Sequence, residues 1–95
     1  MKFLKQLNFT QEDINEIIDS TPEALLDLLK TQKKLVTENI AFLRDLGVGN
    51  YQRIFIRYYD VFLMDNSNFK DIFEKYEPSD LIEKLNKNIN IVDYL

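Results

Sequence analysis

The chain has 95 residues, 45% of them apolar and 13% aromatic, a net charge of −4, and neither histidine nor cysteine. That composition fits one domain with a core burying roughly 60–65% of the unfolded chain's surface. It excludes a disulfide framework, thiolate chemistry, imidazole catalysis and the commonest zinc ligands. The longest apolar runs, Ile40–Leu43 and Val61–Met64, hold four residues each, against the about 20 that cross a bilayer. The N-terminal MKFLKQLNF lacks the apolar stretch of a secretory leader, so a cytoplasmic protein without membrane contact is expected.

Only two glycines and two prolines interrupt the chain, and helix-forming residues dominate. Thr10 followed by Gln-Glu-Asp-Ile reads as an N-cap with Asp13 as capping-box partner, opening a helix whose apolar face is Ile14, Ile17 and Ile18. Thr21-Pro22 reads as an N-cap with proline at the first helical position, launching Ala24, Leu25, Leu28 and Leu29. Thr31 caps the next helix or kinks a continuing one, and Leu35, Val36, Ile40, Leu43 and Leu46 follow at helical spacing. Gly47 then stands where a left-handed helix stop belongs. A helix is predicted from about Asn50 to Tyr59, another opens at Asn66 or Ser67, and Glu77-Pro78 marks a break and restart. The tail NINIVDYL, with no partner strand in sight, is expected to end as a helical turn or a docked extended segment. The fold class predicted is all-α, a small right-handed or open helical-repeat array of about six to seven short helices in two related units.

Those units appear as internal similarity. Phe3–Phe9 aligns with Phe42–Val48 at a spacing of 39, placing Asn8 opposite Gly47. Ile18–Asp27 aligns with Ile56–Asp65 at a spacing of 38, matching Ile18 with Ile56, Leu25 with Leu63 and Asp27 with Asp65. Asn39-Ile40 and Asn88-Ile89 give a fainter echo. A single domain over 1–95 is expected, with unit one at about 3–41 and unit two at about 42–88. Leu4, Leu7, Phe9, Pro22, Leu25, Leu26, Leu35, Asn39, Ile40, Leu43, Leu46, Gly47 and Val48 carry a pattern that resembles the mitochondrial transcription termination factor-like repeat. The resemblance implies units of two helices and a shorter third, and, in the long solenoids of that family, a concave basic surface for nucleic acid. The second copy departs from it at Asp60, where the family usually has proline.

Charge is distributed unevenly. Residues 1–29 sum to −4, 30–59 to +4 and 60–95 to −4. An acidic whole disfavours non-specific nucleic-acid binding, while the basic middle permits a local patch. Arg53 and Arg57, one helical turn apart among Tyr51, Tyr58 and Tyr59, suit phosphate contact with base stacking or a protein hot spot. The alternative places Tyr51 and Tyr58 in the core with Arg57 paired to an acid. Leu46–Asn50 also resembles the helix-hairpin-helix turn, although a helix-stop role explains Gly47 without a ligand. Glu12, Asp13 and Glu16 read as first-turn acids favoured by the helix dipole, and Asp65–Glu74 lacks the glycine a calcium loop needs. Asn39 is expected to hydrogen-bond a neighbouring turn. A non-enzymatic binding module without a cofactor is therefore expected, acting on an unidentified protein partner or by self-association. The alternative is nucleic-acid binding through segment 30–59. The candidate contact residues are Lys33, Lys34, Arg44, Arg53, Arg57, Tyr58 and Tyr59.

Overall fold

The computed structural model, which describes residues 1–95, contains seven α-helices, two 3-10 helices and no strand. They are α1 (Lys2–Lys5), α2 (Gln11–Ser20), α3 (Glu23–Thr31), α4 (Lys33–Leu46), α5 (Tyr51–Arg57), a first 3-10 helix (Tyr59–Leu63), α6 (Asn66–Glu74), α7 (Pro78–Lys87) and a second 3-10 helix (Ile89–Tyr94). The fold is an all-α array. The Thr10–Asp13 capping box forms in both directions at 3.0 Å. The helix predicted over 50–59 instead ends at Arg57 and gives way to the first 3-10 helix.

Thr21 departs from its expected role. The structure places Pro22 at the N-cap of α3, and Thr21 closes α2 by donating its N–H to Ile17 O. Its hydroxyl, buried to 6% exposure, has no partner. Thr31 donates its hydroxyl back to Asp27 O at 2.8 Å, and Gln32 alone separates α3 from α4.

Asn8 and Gly47, 39 residues apart, are the only two residues with positive φ, at 67° and 107°. Each closes a helix by the same pair of bonds. Gly47 N–H donates to Arg44 O and Val48 N–H to Leu43 O, while Asn8 N–H donates to Lys5 O and Phe9 N–H to Leu4 O, all between 3.1 and 3.2 Å. This is the Schellman arrangement, and in both copies the residue after the left-handed one (Phe9, Val48) and the one four before it (Leu4, Leu43) are buried.

α1 and α6 both pack on α4, while α2 packs on α5. α3 and the first 3-10 helix also lie against α4, and the second 3-10 helix packs on α7. The element order therefore runs helix, helix, 3-10 helix at α4–α5 and again at α6–α7. That phase starts near residues 33 and 66. The residue alignment starts instead at 3 and 42, because it follows the turns that end α1 and α4 and not the beginnings of helices. The radius of gyration, 12.7 Å, is close to the ~12 Å of a compact chain of this length.

An aromatic column fills the core. Phe9, Phe55, Phe62, Phe69 and Phe73 follow one another with ring centroids 5.6, 5.0, 5.0 and 4.9 Å apart, and all five are buried. Edge-on and tilted rings at such distances gain about 0.5–1.5 kcal/mol per pair beyond burial. The column links the α1–α2 turn, α5, the first 3-10 helix and α6. Ile18, predicted on the buried face of α2 with Ile14 and Ile17, is 46% exposed, and Leu28 of α3 is 41% exposed.

The two glycines differ. Gly47 needs its left-handed backbone, and a Cβ there would meet Ile82 Cδ1 at 3.3 Å; Gly49 has neither a positive φ nor any atom within 4 Å of an added Cβ. In chemical unfolding, Gly47→Ala is expected to cost about 1–2 kcal/mol. Gly49→Ala is expected to be neutral or to stabilise by up to about 1 kcal/mol, since only the unfolded chain loses freedom. Equal costs at both sites would contradict this assignment.

Candidate functional site

Four of the seven charged and tyrosyl candidates gather on or beside α5. Arg53, Arg57 and Tyr59 share a groove of about 350 Å³ with Glu16 and Ser20 of α2. Arg53 Nη1 lies 3.3 Å from Glu16 Oε1, both side chains being about half exposed, so its charge is already answered within the groove. Arg57 Cζ stands 5.8 Å from the centroid of the Tyr58 ring, a cation–π placement. Tyr58 itself is 8% exposed. Its hydroxyl lies 3.2 Å from Asn90 Oδ1 and 3.1 Å from Asp93 Oδ2 and shares its one proton between them. Tyr58 therefore tethers the second 3-10 helix and offers no ring face to a partner.

The remaining basic candidates lie elsewhere. Lys33 and Lys34 open α4, and Arg44 sits in its last turn, bonded to its neighbour Asp45 at 3.1 Å. At 1.5 Å per residue about 15 Å of helix separates the lysines from Arg44. None of the three lines the Arg53–Arg57 groove. The basic segment 30–59 is thus spread along α4 and α5 and is interrupted by Glu16 and Asp45.

Asn50, Tyr51 and Gln52, the residues after Gly49, reach out in three directions. Asn50 Nδ2 donates to Leu85 O of α7 at 3.0 Å, Tyr51 Oη to Leu7 O at 2.6 Å and Gln52 Nε2 to Asn8 O at 3.2 Å. Each captures a carbonyl near a helix end, where the helical ladder leaves acceptors unused. The turn that resembles a phosphate hairpin is thus occupied by holding α7 and the α1–α2 turn in place.

A second groove, of about 330 Å³, lies between α7 and the second 3-10 helix. Leu81 and Ile91 line it with Tyr76 and Tyr94, and Glu77, Asp80 and Lys84 supply its charge. Tyr76 is 37% and Tyr94 83% exposed, two of the four large apolar side chains left open to solvent. Aromatic side chains beside an apolar floor are the usual anchors of protein contacts. Tyr51, Phe55, Phe62, Phe69 and Phe73 are all core, whereas Tyr76 stays open. Tyr94 was missed because its exposure depends on how the last 3-10 helix docks on α7, a non-local fact.

Glu77 is the one titratable group displaced from its ordinary range. The N–H groups of Asp80 and then Ser79 hold its carboxyl below the usual glutamate value, the Asp80 bond being 2.9 Å. The cause is helix capping at the surface and not burial. No set of three acidic side chains converges as a metal site, and no helix is long and apolar enough to cross a membrane. Family models, curated proteins and solved structures contain no match to this chain.

Because the folded pKa of Glu77 is depressed, its contribution to stability is present above the unfolded glutamate pKa and is lost as pH falls through the folded value. An NMR titration is expected to give Glu77 a midpoint below the ordinary glutamate value. Glu77→Gln is expected to make the acid limb of the stability–pH profile shallower; an unchanged limb would contradict the cap.

Proposed function

We propose that the chain is a cytoplasmic, non-enzymatic helical-repeat module that works by holding a protein partner in the groove between α7 and the second 3-10 helix. The observation that carries this reading is the exposed pair Tyr76 and Tyr94 over the apolar residues Leu81 and Ile91. Two rigid rings beside an aliphatic floor suit an apolar side chain of a partner, and Glu77 and Asp80 suit a basic residue flanking it. The packing of α1 and α6 on α4 and the recurring helix, helix, 3-10 order support a repeat related to the mitochondrial transcription termination factor-like unit. The absence of histidine and cysteine removes the commonest general base and the thiolate nucleophile, which supports the non-enzymatic reading.

The second reading, nucleic-acid binding, is favoured by one observation, the shared groove of Arg53, Arg57 and Tyr59. Glu16 faces the same groove, and the three other basic candidates stand apart from it. The protein-binding reading is therefore preferred.

A photo-crosslinking amino acid replacing Tyr94 is expected to form protein adducts in its cellular setting, while the same group at exposed Lys30 on α3 forms none. Adducts absent at position 94, or equal at both positions, would overturn the reading. The rival predicts a gel shift at low salt that disappears with Arg53→Ala and Arg57→Ala.

A further inference from the structure

We propose that the partner in this groove is a second copy of the chain, docked head to tail so that the helical array continues from one molecule into the next. The inference rests on the protein-binding reading above and adds the identity of the partner. Three observations carry it. The first is the packing of the N-terminal helices. The main contact of α1 is with α4 and that of α2 is with α5, and both helices leave residues open to solvent. Repeat arrays bury their faces by stacking neighbours, and a terminal face without a polar cap is an open acceptor for one more unit.

The second observation is that both terminal faces expose apolar side chains. A groove of about 270 Å³ opens on α1 and α2, lined by Ile14 and Ile18 with Lys2 and Lys5. Ile18 is 46% exposed there although it belongs to the apolar stripe of α2. At the other terminal unit, Tyr76 and Tyr94 stand open beside α7. These grooves share no residue, so one molecule can use both at once.

The third observation is charge. Lys2 and Lys5 bring two positive charges to the first groove, and no carboxylate lines it. Glu77 and Asp80 bring two negative charges to the second, against Lys84. None of Lys2, Lys5, Glu77, Asp80 and Lys84 is spent on an ion pair within the chain; Lys84 is the one like-charged residue that the docking must accommodate. Apolar centres with opposite charge at the rim set both contact and register. Two copies of the basic groove would repel, so a two-fold symmetric pairing through the first groove is disfavoured. A head-to-tail contact is heterologous and does not close by itself, so association proceeds past the dimer.

The test uses light scattering on the full chain across a concentration series. All four substituted residues are exposed, and circular dichroism checks that the variants keep their helix content. Wild-type protein is expected to rise from 11.3 kDa without a plateau at the dimer, at concentrations from about 10 μM to 1 mM, as a weak interface requires. Lys2→Glu with Lys5→Glu alters one face, and Asp80→Lys with Tyr94→Ser alters the other. Each double variant alone is expected to stay monomeric, whereas an equimolar mixture, which restores one intact pair of faces, is expected to form a heterodimer. A wild type that stays monomeric, or a mixture that stays monomeric when wild type associates, would overturn the proposal. If wild type stays monomeric while position 94 crosslinks to other proteins, self-docking fails and the protein-binding reading stands. If position 94 crosslinks to nothing, both fail.

Discussion

The side-chain amide of Asn39 is the interaction on which the placement of the second half depends. It is fully buried on α4, the helix against which α1, α3, α5, the first 3-10 helix and α6 all pack. Its Nδ2 donates to Phe62 O and to Met64 O, each at 2.9 Å, and its Oδ1 accepts from Asn66 Nδ2 at 2.8 Å. Both amide protons are used, and the carbonyl has one bond. The acceptors sit where the first 3-10 helix ends and the donor where α6 begins, so one side chain fixes the joint between them. A buried carbonyl left without a donor costs about 1–3 kcal/mol, which makes any other arrangement of that joint unfavourable.

The same device recurs from α5. Short helices leave a large share of their carbonyls beyond the ladder, and here Asn50, Tyr51 and Gln52 answer those of α7 and the α1–α2 turn. Tyr58 adds a tether to the second 3-10 helix. Donors on α4 and α5 thereby set where α6, α7 and the last 3-10 helix lie. The groove flanked by Tyr76 and Tyr94 is a consequence of that placement.

What was legible in the sequence was local. The Thr10–Asp13 box, the Glu77-Pro78 restart and the Gly47 stop depend on residues within one turn, and all three stand where the spacing predicts. Asn8 opposite Gly47 was legible because few residues tolerate a left-handed backbone. Asn39 announced itself as a polar residue on an apolar face, although its three partners, 23 to 27 residues away, did not. Of the two places the sequence allowed Tyr58, contact face or core, the core holds, since the change from α-helix to 3-10 helix after Arg57 leaves it buried at the junction. Helix length misled at Lys33, Lys34 and Arg44, which one basic segment joins and the length of α4 keeps about 15 Å apart. The groove could not be read at all, because α7 and the last 3-10 helix meet there only through tertiary docking.

Amide hydrogen exchange on Asn39→Ala, compared with the unaltered chain, tests the clamp most directly. Stability is expected to fall by about 3 kcal/mol, the cost of two buried carbonyls without a donor. Protection is expected to be lost first over residues 59–74, while α2, closed by its own capping box, stays protected longer. A loss below about 0.5 kcal/mol, within the range of an ordinary surface substitution, or protection that falls evenly along the chain, would contradict the central role of Asn39.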